Sequence, residues 1–211
     1  MENINSDQIS ATLSKISTAK SIQELDTQSF CEKMMKLANA ARDYALGRIP
    51  GPESSEIPRA FLKGQPAAAF LVIIEFRSGK TTRDRNLKKK PAEGPVDLDQ
   101  KSAFALVYSY FLVAFVNCMN RNEEVCREYL QGGCVPAALS ELDSLQFAQN
   151  RDESPAESLT ARAMTHHLSL LYSITSQSPV LKVQLDEELR RNRYFPILKK
   201  YTLSKYVSVL L

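Results

Sequence analysis

The chain has 211 residues, 44% of them hydrophobic and 24% charged, and a formal net charge of +3. Those proportions sit near globular averages and exclude wholesale disorder, while so small a charge excludes an argument for nucleic-acid binding from overall charge alone. Seven glycines and ten prolines are too few for an all-β chain that needs a turn every ten residues or so, and the expected fold class is all-α.

Residues 1–29 are rich in Ser, Thr, Asn and Gln, with Ile4, Ile9, Leu13 and Ile16 at rough helical spacing, which predicts one modest amphipathic helix and a loop. From Phe30 to Leu46, apolar residues recur at three- and four-residue steps, and Gly47 with Pro50, Gly51 and Pro52 ends the helix they define. Ser54 or Ser55 is expected to cap a short helix ending near Gly64, after which Pro66 opens the helix PAAAFLVIIEF. Residues 77–101 are the most polar stretch and read as an exposed loop.

An uncharged run, AFALVYSYFLVAFVNCM, occupies 103–119 and belongs to a long helix starting about Ser102. It lies at the short end of the membrane-spanning range and carries Tyr108, Ser109, Tyr110 and Asn117 inside it, so a central helix buried on all sides is preferred to a bilayer span. NRNEE then reads as a turn and cap, EEVCREYL as a short helix ending at Gly132 and Gly133, and Pro136 as the start of the next helix. Beyond a second polar break, AQNRDESPAES, the helices LTARAMTHHLSLLYSITS and VLKVQLDEELRRN flank the turn SQSP, and Pro196 opens a last helix.

These blocks repeat. FLKGQPAAAFL, YLQGGCVPAALSEL and ELRRNRYFPILKKY each end a short helix at Gly or Asn and restart near a proline, at Pro66, Pro136 and Pro196. Gly132 or Gly133 is expected to supply a left-handed residue at the joint, and Asn192 tolerates the same conformation in the third block. The stretch NEEVCREYLQGGCVPAALSEL resembles the joint of an armadillo repeat, and ALVYSYFLVAFVNCMNRNEE the long helix before it. The resemblance is good over 103–142, fair over 159–201 and poor over 30–76. It implies a short right-handed α-solenoid of about three armadillo-like repeats over 30–211, after an N-terminal segment at 1–29, with the basic loop 77–101 exposed. It also implies binding without a reaction: a non-enzymatic adaptor or scaffold that takes a peptide or partner helix in its groove, where Asn117, Asn120 and Asn122 fix extended backbone.

No catalytic constellation competes with that reading. Gly79, Lys80 and Thr81 mimic the tail of a phosphate-binding loop, but Ile74 stands where the loop requires a glycine. Adjacent His166 and His167 diverge by about a hundred degrees on a helix, which does not suit two ligands of one metal. Cys31, Cys118, Cys126 and Cys134 have neither zinc-knuckle nor redox spacing and read as buried thiols, and Tyr108, Phe111, Phe115 and Tyr172 as core. No cofactor or metal is called for. The alternative function is a helical nucleic-acid-associated protein using two basic clusters. One holds Arg77, Lys80, Arg83, Arg85, Lys88, Lys89 and Lys90, without an aromatic for base stacking, and the other spans 190–200. Free cysteines and the lack of a signal pattern point to an intracellular protein, cytoplasmic or nuclear, and the apolar end YVSVLL to self-association or to a place within a longer array.

Overall fold

The computed structural model describes residues 4–20, 27–51, 53–78, 98–149 and 155–192. Among these the secondary structure is entirely helical: α1 (Ser6–Thr18), α2 (Thr27–Ala45), α3 (Glu53–Lys63), α4 (Pro66–Ser78), α5 (Leu98–Met119), α6 (Glu123–Gln131), α7 (Cys134–Gln149), α8 (Pro155–Gln177) and α9 (Pro179–Arg191). Asn5 and Gln8 form a capping box on α1, and the predicted apolar positions Ile9, Leu13 and Ile16 are its buried face. That face joins the same core as all later helices.

Packing follows a period of three helices. α1 packs on α4 and α4 on α7; α2 packs on α5 and α5 on α8; α3 packs on α6 and α6 on α9. Three ladders result, with one short joint per layer linking the third ladder to the first. In the long ladder the helices run parallel, because their C-termini meet. The Tyr44 hydroxyl donates to the Arg121 carbonyl at 3.2 Å, and the Arg121 guanidinium returns a bond to the Tyr44 carbonyl at 3.4 Å. At the next step Asn120 receives both Ser173 Oγ and Gln177 Nε2. Two of these bonds end on the Arg121 and Asn120 backbone carbonyls, just past the end of α5, where a helix leaves carbonyls without an internal partner.

The joints between α3 and α4 and between α6 and α7 divide the work of a tight corner between two residues. Gly132 has φ −74°, and a Cβ there would sit 2.4 Å from Ala67 Cβ, so the glycine is required by the approach of α4. Gly133 has φ +75° with open space around its Cα, so it carries the left-handed turn and no packing. In the α3–α4 joint, which bends the pair by 55°, Gly64 lies against Leu13 of α1 and Gln65 takes φ 59°. The corner repeats even though its second residue is not a glycine.

Several expected boundaries move. α7 begins at Cys134, so Pro136 lies within its first turn, where a missing N–H costs nothing. α3 begins at Glu53, which places Ser54 and Ser55 inside the helix rather than at its cap; Gly51 accepts the Ser54 N–H instead. Asn192 has φ −94° rather than a left-handed conformation, and its amide folds back on Glu188. Pro196 and the end YVSVLL lie outside the described residues. Of the expected loop 77–101, Arg77 and Ser78 close α4, residues 98–101 open α5, and 79–97 lie outside the described residues.

Candidate interaction surface

α5, which carries no charge from Ala103 to Met119, lies at the centre of the stack. Phe111 and Phe115 on its inner face meet Phe61, Phe70 and Tyr129 at ring-centroid distances from 5.2 to 6.4 Å, mostly edge to face. The helix is not buried on all sides, as the sequence had led us to expect. Leu106 is 39% exposed, and Ser109, Tyr110, Val113, Val116 and Asn117 continue a half-exposed stripe at three- and four-residue steps. α2 and α8 pack on α5 and leave this stripe half-covered, with Tyr110 and Val116 still touching the core. On the parallel neighbour α8, Tyr172 is 57% exposed, which corrects its assignment to the core, whereas Tyr108, Phe111 and Phe115 are buried.

The three asparagines cluster at the C-terminal end of this stripe, each with a different local role. Asn117 donates its amide to the Val113 carbonyl at 2.9 Å, and among the described residues its Oδ1 takes no donor. Asn120 accepts from Ser173 Oγ at 2.7 Å and thereby ties α8 to α5. Asn122 caps α6 by accepting the Val125 N–H at 3.1 Å.

Arg77, the first member of the basic cluster, is drawn inward. Its guanidinium pairs with Glu141, itself only 4% exposed, and stacks 4.8 Å from the Tyr108 ring centroid. The Tyr108 hydroxyl meets His167 Nε2, so four side chains connect α4, α7, α5 and α8 through the core. His167 is fully buried, and burial, followed by the nearby Arg77 and His166 charges, pushes its pKa down to about 3. His166 is half-buried, its pKa also lowered by burial and by Arg162. Among the described residues, His167 Nδ1 and the Tyr129 hydroxyl are both buried without a hydrogen-bond partner. Lys80, Arg83, Arg85, Lys88, Lys89 and Lys90 lie outside the described residues, as do 193–200 of the second cluster.

Among the described residues no three His, Cys, Asp or Glu side chains gather as metal ligands. Cys118, Cys126 and Cys134 are buried, whereas Cys31 on α2, expected to be buried with them, is only half-buried; burial raises all four thiols, Cys126 to about 12, so none is a ready nucleophile at neutral pH. Among the described residues no single helix is long and apolar enough to cross a membrane. Leu106 and Val113 were missed in the sequence because the run around α5 is apolar on every face, and Tyr172 on α8 was taken for core; only Ser109, Tyr110 and Asn117, which fall on one side of the α5 helix, mark its outer side. No family model, curated protein or solved structure significantly matches this chain.

Proposed function

We propose that the chain is a right-handed, armadillo-like array of about three repeats and acts as a non-enzymatic protein-interaction module, an adaptor or scaffold. Its partner contributes a peptide or helix that lies along the outer faces of α5 and α8. The observation that carries this reading is the half-exposed stripe from Leu106 to Asn117 beside exposed Tyr172, held on parallel helices. A surface already fixed by packing loses little further entropy when it binds, and a central aromatic is the kind of anchor that dominates such contacts. Asn117, with an amide oxygen to spare, is the residue proposed to accept a partner's backbone N–H, while Asn120 and Asn122 shape the end of the surface beside it.

Photo-crosslinking residues placed singly at Leu106, Val113 and Tyr172 test this reading in nuclease-treated lysate. All three are expected to capture the same discrete protein, and to keep capturing it when Lys88, Lys89 and Lys90 are neutralised. A crosslinker at exposed Lys63 on α3 is expected not to capture it. Equal capture from position 63, or recovery dominated by nucleic acid before nuclease, overturns the proposal.

A further inference from the structure

The three-helix period also locates a binding place that the outer face of α5 and α8 does not include. Among the described residues, α3 packs on the two helices that follow it, α4 and α5, and α6 on α7 and α8, each also packing on the next member of its own ladder. One step earlier, the same rule defines a place walled by α1, α2 and α3. Among the described residues no helix fills it, and a solvent-open cleft of about 570 Å³ lies there, lined by those three elements.

The floor of the cleft is aliphatic: Ile4 and Ile9 from α1, Ala40 from α2, and Ile49 and Ile57 from α3 and its approach. Its rim is acidic, with Asp7, Asp43, Glu53 and Glu56 against a single lining cation, Lys36. Asp7, Glu53 and Glu56 stand in first turns, where acids suit the helix dipole, yet they converge on one opening. Asp43 pairs with exposed Arg48 at 3.4 Å, and Glu56 accepts from Ser6 Oγ at 3.2 Å; both bonds are at the surface. The later ladder members show what such a place accepts. α6 seats Val125, Cys126 and Tyr129, and α9 seats Leu181, Leu185 and Leu189: in both, one apolar stripe of an amphipathic helix.

We infer that this cleft docks an amphipathic helix of a partner protein, with an aliphatic stripe for the floor and Lys or Arg on its flanks for the rim. The bound helix extends the third ladder by one member. The inference rests on the ladder geometry and is independent of the α5–α8 surface.

The probes are two labelled amphipathic peptides of about 14 residues, with leucines at helical spacing and either Lys or Glu at the remaining positions. Anisotropy titrations are run at low salt and at about 0.5 M salt, alongside amide chemical-shift mapping. The Leu/Lys peptide is expected to bind at least about tenfold more tightly than the Leu/Glu peptide and to shift residues 4–9, 36–43 and 49–57. Glu53→Gln with Glu56→Gln is expected to weaken it about tenfold. Ala40→Trp, which fills the floor, is expected to abolish binding while the circular dichroism spectrum is unchanged. The inference is overturned by no binding, by equal binding of the two peptides, by shifts confined to α5 and α8, or by binding that survives both variants. Concentration-dependent self-association that shifts the same residues in the absence of peptide assigns the cleft to a second copy of this chain and likewise overturns it.

Discussion

At the scale of single residues, adjacent glycines that look interchangeable in the sequence turn out to answer different constraints. Gly133→Ala places a side chain in open space on a left-handed backbone, a cost of about 1–2 kcal/mol. Gly132→Ala drives a Cβ to 2.4 Å from Ala67 Cβ and 2.7 Å from the Glu128 carbonyl, so α6 and α4 must move apart. Gly132→Ala is therefore expected to lower the urea midpoint more than Gly133→Ala. Adding Ala67→Gly is expected to recover part of the Gly132→Ala loss and none of the Gly133→Ala loss, which a double-mutant cycle measures. Additive losses in the first pair would remove the inter-layer contact from the explanation. The sequence showed that a left-handed residue was needed at this joint, but which glycine supplied it depended on α4, more than fifty residues earlier in the chain.

At the scale of elements, α5 shows how far periodicity can be read and where it fails. The boundaries of most helices follow from glycines and prolines that are visible in the sequence, and α4, a helix rather than the strand of a phosphate loop, was legible from its agreement with the repeat. The direction of α5's faces was not legible, since Leu, Val and Phe occur all round it and only its neighbours decide which side is covered. Opposite faces should respond oppositely to substitution. Phe115, fully buried among four aromatic rings, is expected to cost about 3–5 kcal/mol on truncation to Ala. Val113→Glu on the outer stripe is expected to stay within about 1 kcal/mol of wild type while losing the crosslinked partner. Comparable destabilisation by the two variants in chemical denaturation would place Val113 in the core and take the stripe away as a surface.

At the scale of the whole molecule, the ladders depend on a core that is mostly apolar among the described residues but is crossed, in its middle layers, by one connected chain of polar side chains. The repeat was legible as three restarts, two of which fall within the described residues, but the chain from Arg77 through Glu141 and Tyr108 to His167 was not, because its members come from four separate helices. It gives the fold a definite pH dependence. His167 has its folded pKa depressed to about 3, whereas an unfolded histidine titrates near about 6.5, so below that value the unfolded chain takes up a proton that the folded chain refuses. Its contribution is fully present above about pH 6.5 and is lost as the pH falls toward 3. Between about pH 7 and pH 5.5, above the range of ordinary carboxylates, linkage gives a loss of about 1 kcal/mol from this residue. His166, shifted the same way, adds to the slope. His167→Gln keeps an acceptor for the Tyr108 hydroxyl and removes the titration, so its urea midpoint is expected to fall less over that interval than the wild-type midpoint does. Equal pH slopes in the two proteins would mean that His167 takes its proton without unfolding, and the buried polar chain would then have to open locally to water.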